Sequence, residues 1–282
     1  MSVVTRPRSP HNQPHSRRKR LGQHFLVPRW ADRVVAAIAP QPGDVFLEIG
    51  PGEGALTLPI DRGLVETLAR RAPPNVTVMS ADVLEIDAVA LLGGLGPQQP
   101  LRPGAAPPPP RRVRVVGNLP YAIVSPILFR LLEIHRRHGI IADATIMVQR
   151  EVADRMTARP RSKNYGVLTI TLALHTKITG LLQLPPGAFL PPPKVHSSVV
   201  RLEFGPPRVW VPDEPLFERM VKAMFSHRRK TLANGLKSFH PAAAAVLERA
   251  GIDGRRRPET LELSEIARLS ELFSSADRLP VL

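Results

Sequence analysis

Four short apolar runs set what this chain can fold into, because each ends in a small or polar residue and gives way to other structure. They are "DVFLEIG" (44–50), "NVTVMSADV" (75–83), "RVRVVGN" (112–118) and "DATIMVQ" (143–149). Each reads as a buried strand. Between and around them lie runs with helical spacing. "WADRVVAAIA" (30–39) stops before Pro40, "DRGLVETLARR" (61–71) has a basic C-terminal end, "SPILFRLLEIH" (125–135) carries proline in its first turn, and "REVADRMTA" follows Gln149. Strands alternating with helices predict an α/β fold, a parallel sheet with helices on both faces. In such sheets ligands sit beyond the carboxyl ends of the strands. Gly50, Gly52, Asp82 and the segment Asn118-Leu119-Pro120-Tyr121 all fall there.

After about residue 205 the pattern changes: "EPLFERMVKAMFSHRRKTLANGLKS" and the stretches beyond it read as helical. The expected organisation is a basic disordered arm over 1–20, a larger domain over 21–205 and a small helical domain over 206–282. Residues 97–110 are half proline and read as a stiff, solvated insertion in the larger domain. The length of 282 residues and the 43% hydrophobic content suit one large and one small domain. No internal repeat is visible.

Net charge is +15, with a pI of about 11.3. That balance favours a polyanionic partner, nucleic acid or an anionic membrane surface, although a general preference for Arg would produce it too. The absence of cysteine excludes disulfides, thiolate catalysis and Cys-based zinc sites. No apolar run approaches about eighteen residues, so no transmembrane helix is expected. The first twenty residues carry six Arg/Lys, no acid and no apolar signal core. Their Arg-rich character is also that of a transit peptide, but three prolines interrupt any amphipathic helix. The reading is a cytoplasmic protein whose arm either touches phosphates or is an inert tail.

The chemistry is carried by three motifs. "LEIGPGEG" (47–54) places Glu48 on a strand ahead of Gly50, Gly52 and Gly54. The glycines let backbone approach a ligand and turn the chain into a helix, in a spacing that differs from the dinucleotide fingerprint. A plain strand–helix turn would look the same. "ADVL" (81–84) puts the Asp82 carboxylate where it either binds a ligand or caps a helix. "GNLPY" (117–121) ends a strand in an amide, a proline and an aromatic ring. An exocyclic adenine amine is a weak nucleophile because its lone pair is delocalised into the ring. An amide oxygen and a main-chain carbonyl can accept its two N–H bonds and favour the pyramidal form that attacks a methyl sulfonium. Proline stiffens the turn and tyrosine offers a stacking face. No metal is required.

These motifs, with "LGQHFL" (21–26), "MVQREVADRM" (147–156), "KNYGVLTI" (163–170), "FLPPPKVHSSVVRL" (189–202) and "MFSHRRKTLANGLK" (224–237), occur in an order that resembles the ribosomal RNA adenine N6-dimethyltransferase family. The resemblance covers most of the chain. It implies a Rossmann-like S-adenosylmethionine-dependent methyltransferase sheet with a small C-terminal helical domain. It also implies a monomer acting on small-subunit ribosomal RNA or a pre-ribosomal particle, with no membrane partner. For the cofactor it implies His24, Leu26, Gly50, Gly52, Asp82 and Asn118. For the reaction it implies Asn118, Leu119, Pro120 and Tyr121, with Phe189 covering the second face of the target adenine; a core aromatic before a proline turn is the other reading of Phe189. Arg228, Arg229 and Lys230 would lie on phosphates.

One stretch departs from the family. Its members carry, at the end of the second strand, an acid that holds the cofactor ribose. Here "LTLPI" runs straight into "DRGLVETLARR", Pro59 stands at that position, and Asp61 or Glu66 is the nearest substitute. From Gly50 to Asp82 is 82 − 50 = 32 positions, and a strand with a helical turn, on the order of ten residues, is missing. The departure motivates an alternative, a catalytically impaired assembly factor that binds pre-ribosomal RNA. Two other enzymes are weighed: the related large-subunit methyltransferase that gives antibiotic resistance, and a DNA adenine methyltransferase, whose motif has a second proline.

Overall fold

The computed structural model describes residues 24–50, 81–85 and 112–276. The arm 1–20, Gly52 and Gly54, the shortened stretch after them, the helix expected at 61–71, most of the strand expected at 75–83 and the insertion 97–110 lie outside the described residues. Residues 81–85 form no strand: Ala81 and Asp82 lead into a turn over 83–85.

The central sheet has five strands: β2 (Val45–Ile49), β3 (Val113–Asn118), β4 (Ile141–Gln149), β7 (Ser197–Phe204) and β5 (Thr176–Leu184), in the spatial order β2-β3-β4-β7-β5. A separate two-residue ladder joins β1 (Phe25–Leu26) to β6 (Phe189–Leu190). β2, β3 and β4 run parallel, as expected, but β7 is antiparallel to both β4 and β5. The sheet is therefore mixed. Only a short connection separates β5 from β7, with no crossover helix, so the chain can only return in the opposite direction.

Strand alternation sorts the two faces. Val115, Ile146, Val148, Val200 and Leu202 point to one side, where they pack against α2 (Val124–His138), α3 (Arg150–Met156) and α4 (Val167–His175). Val116, Met147 and Val199 point to the other, against Trp30, Ala31, Val34 and Ile38 of α1 (Pro28–Ile38). Two arginines on the α1 side hold that helix by its last carbonyls. Arg201 Nη2 donates to Ala37 O at 2.7 Å and Ile38 O at 2.9 Å, and Arg114 Nη2 donates to Ile38 O at 2.7 Å. Cations at a helix C-terminus satisfy carbonyls that have no intrahelical partner.

Beyond the sheet, α5 (Glu214–Ser226), α6 (Leu232–Lys237), α7 (Ala243–Ala250) and α8 (Leu263–Ala276) build a second apolar cluster around Phe217, Met220, Leu236 and Phe273. Helix α4 serves both layers: Leu172 faces the sheet, and Ile170 and Leu174 face the helices.

A polar network closes the junction. His135 Nδ1 lies 3.1 Å from Ile141 O and its Nε2 lies 3.2 Å from Gly205 O. His175 Nε2 meets Glu214 Oε2 at 3.0 Å, and Arg136 Nε reaches the same oxygen at 2.6 Å. Burial pushes the His135 pKa below the ordinary imidazole value against the pull of its two carbonyl contacts. Burial alone would raise Glu214, but the His175 hydrogen bond and the charges of His175 and Arg136 outweigh it and hold the carboxyl below the usual range.

Candidate active site and nucleic-acid interface

β3 delivers Asn118 to the carboxyl edge of the sheet, and the chain leaves through Leu119-Pro120 into one 3-10 turn over Tyr121–Ile123. The Leu119 side chain is buried, and its amide donates to Met147 O at 3.2 Å, so the turn is tied to the neighbouring strand. Beside it, β2 ends at Gly50 with φ +63°, a left-handed conformation that favours glycine. A Cβ built there would lie 3.7 Å from Asn118 O, so the glycine keeps this corner open. At Gly117 a Cβ would lie 2.5 Å from Ile49 O, which makes glycine obligatory where β2 and β3 close on each other.

Three further segments converge on this corner. Phe25 pairs with Leu190 and Leu26 with Phe189 in the small ladder. Val27 N donates to Ala188 O at 3.0 Å. His24 Nδ1 donates to Pro191 O at 2.7 Å, because a carbonyl only accepts. Asn118 Nδ2 donates to His24 O at 3.0 Å, which leaves Asn118 Oδ1 as the accepting end of the amide. The Tyr121 hydroxyl and Ser197 Oγ share a hydrogen bond of 2.9 Å. The His24 and Tyr121 rings lie 6.2 Å apart and 27° from parallel.

The structure thus brings together His24, Leu26, Gly50, Asn118, Leu119, Pro120, Tyr121 and Phe189. Phe189 does so by its backbone only: it is 3% exposed and belongs to the apolar cluster of Leu26 and Trp30, so its ring is core rather than an open stacking face. Asp82 Oδ1 accepts from Leu84 N at 2.9 Å within its own turn. Gly52 lies outside the described residues. Ser197, which fixes the Tyr121 ring, was not legible beforehand; a serine between "KVH" and "SVV" carries no periodic signal, and only the fold brings it opposite a residue 76 positions away.

Arg228, Arg229 and Lys230 sit in the turn between α5 and α6, not on a helix as the sequence suggests, because Lys230 N folds back to His227 O at 2.7 Å. Arg228 is partly buried and donates to Ser162 O at 3.2 Å. That contact joins the turn to the loop carrying exposed Arg159, Arg161 and Lys163. Arg161 N in turn donates to Glu259 O at 2.6 Å, and Leu232 N to Arg256 O at 2.8 Å, which draws in exposed Arg255 and Arg257. Three loops distant in sequence therefore form one basic surface. The run "GRRRP" was the signal available for the third of them.

Comparisons with known proteins agree on one family. A sequence model described as ribosomal RNA adenine dimethylase matches residues 14–275. The chain is 40% identical over 269 residues to the ribosomal RNA small subunit methyltransferase A of Xylella fastidiosa (strain 9a5c), covering 90% of this chain and 94% of that protein. It is 40% identical over 274 residues to that of Xanthomonas campestris pv. campestris (strain 8004), covering 90% and 95%. Among solved structures, a dimethyladenosine transferase from Plasmodium falciparum superposes with a TM-score of 0.68 at 23% identity, covering 90% of this chain and 98% of that one. The 23S rRNA methyltransferase ErmE superposes with a TM-score of 0.58 at 26% identity, covering 89% and 99%.

Proposed function

The chain belongs to the ribosomal RNA adenine dimethylase family, and we propose that it transfers methyl groups from S-adenosylmethionine to the N6 amines of two adjacent adenines near the 3′ end of small-subunit ribosomal RNA, a step in small-subunit maturation. It is an enzyme of the ribosomal RNA adenine methyltransferase type. The small-subunit assignment follows the 40%-identical relatives, which carry that name, over the large-subunit enzyme at 26%. We assign it as a cytoplasmic monomer; no described helix is long and apolar enough to cross a membrane.

The described part of the donor pocket fits S-adenosylmethionine. Gly50 offers an open corner without a side chain opposite the Asn118 carbonyl, and the arm passes alongside through His24 and Leu26. We assign these residues and Asp82 to the cofactor, with Gly50 toward its methionine part and Asp82 toward its adenine ring. When bound, the cofactor supplies an electrophilic methyl on a positively charged sulfur.

The chain's own residues do the rest. Asn118 Oδ1 and the Leu119 carbonyl accept the two hydrogens of the target amine; the Pro120 carbonyl already accepts from Ile123 N at 3.1 Å. This localises the lone pair on nitrogen and aims it. The Tyr121 ring, fixed by Ser197, stacks on the base. Each transfer releases one proton from the amine, and the pocket must admit the monomethyl product for the second. The basic loops neutralise phosphates of the substrate.

The pinned amide of Asn118 at the mouth of the glycine corner carries this reading. The test is methyl transfer from labelled S-adenosylmethionine to small ribosomal subunits lacking the modification, with digestion of the RNA to nucleosides. Dimethyladenosine as the product is the expected result. Tight subunit binding without methyl transfer would leave the assembly-factor alternative standing instead.

A further inference from the structure

The rim of the site exposes large apolar side chains. Leu190 is 67% exposed, Val195 41% and Ile123 36%. These are three of the six exposed large hydrophobic residues among those described: Ile123 ends the turn that carries Tyr121, and Leu190 and Val195 lie on the segment that leads to its partner Ser197. Leu190 is the most exposed of the three. Strand alternation in β6 buries Phe189 and turns Leu190 outward. Its main chain is held on both sides, by the pairing with Phe25 and by the contact of His24 with the Pro191 carbonyl. Pro191, Pro192 and Pro193 follow, each with φ fixed by its ring, and then Lys194, which is exposed. A rigid apolar tip beside a cation suits a polyanion with stacked apolar faces, and the chain's +15 charge points to the same partner.

A base that reacts at its amine must first leave its stack. Apolar side chains that enter the vacated step are one way proteins hold such a distortion. We propose that Leu190 is the wedge of this enzyme: it enters the base step that the target adenine vacates and keeps the adenine in the pocket of Asn118 and Tyr121, while Lys194 meets the adjoining phosphate. This rests on the adenine methyltransferase reading above. Ile123 and Val195 form the apolar margin on which the neighbouring bases lie.

The test compares the wild type, Leu190→Ser and Leu190→Met on small ribosomal subunits with unmodified RNA. The RNA is either intact or has an abasic nucleotide ligated in beside the first of the paired adenines. With intact RNA, Leu190→Ser should lower kcat by about tenfold, from the loss of a contact that offsets unstacking, while its affinity for subunits stays within about twofold. Leu190→Met should stay close to the wild type. With the abasic RNA one of the target's two stacking partners is gone and the step to be held open is already empty on that side, and Leu190→Ser should come within about twofold of the wild type. Equal losses on both RNAs, or no loss on either, would overturn the wedge while wild-type turnover leaves the parent reading intact. A wild type that methylates neither RNA would remove the parent reading and the wedge together.

Discussion

Asn118 donates from its amide nitrogen to the His24 carbonyl at 3.0 Å, which leaves its oxygen as the accepting end. An alanine there removes the acceptor without disturbing the strand that carries it. Asn118→Ala should lower methyl transfer by at least about a hundredfold, the scale of losing one aimed polar group in a transition state, with subunit binding within about twofold. A single-turnover assay beside a filter-binding titration separates the two. This residue was legible in the sequence because "GNLPY" is contiguous: amide, carbonyl and ring come from one turn. Phe189 was legible by name but not by posture, since whether its ring faces solvent or core depends on the antiparallel partner Leu26. Ser197 was invisible for the related reason that its partner is remote.

At the scale of elements, helix α1 hangs on two side chains of the sheet. Arg201 donates to the carbonyls of Ala37 and Ile38, and its Nε lies 3.3 Å from Thr145 Oγ1. Arg201→Met keeps the stem but leaves the Ala37 carbonyl without a charged donor and the Ile38 carbonyl with Arg114 alone, and should destabilise the fold by about 2 kcal/mol in denaturant unfolding. Because α1 follows directly on the arm, cofactor affinity should fall as well. The first helix was readable from its amphipathic period and β2 from its short apolar run, while β3 and β4 were readable because their apolar runs are covered on both faces. Strand β5 was not. As an outer strand it has exposed positions at Lys177, Thr179, Gly180 and Gln183 and a register shift between Gly180 and Leu182, which erase a clean period. Helix α4, "VLTITLALH", lacks a polar face because both the sheet and the C-terminal helices cover it.

Among the described residues, loops from both layers meet in a basic surface. Replacing Arg159 and Lys163 with alanine should weaken RNA binding about as much as replacing Arg229 and Lys230. Each lost phosphate contact should reduce the slope of log affinity against log salt by about 0.7–0.9. A salt titration of the two variant sets reads this, and unequal slopes would separate the loops. The junction at His135 and Glu214 responds to acid. His135 is held neutral in the fold, so stability falls as pH drops below the ordinary imidazole value of 6.5, where the unfolded chain takes up the proton first. Glu214 is held ionised, so its contribution persists above the ordinary value of 4.5 and is lost as pH falls through its lowered pKa. Both act in the same direction. The unfolding midpoint should decrease from pH 7 to 5, at no more than about 1.4 kcal/mol per pH unit for each titrating group. His135→Asn should flatten the upper part of that decline. The ring of contacts around the site has a consequence for ligand order. His24 and Pro191, 167 residues apart, are clasped to each other, and Asn118 is clasped to His24. On the proposed assignment, donor and acceptor share the same three struts, and a strut set in place for one needs no further ordering for the other. The two affinities should then be reciprocally linked, each ligand strengthening the other by the same factor.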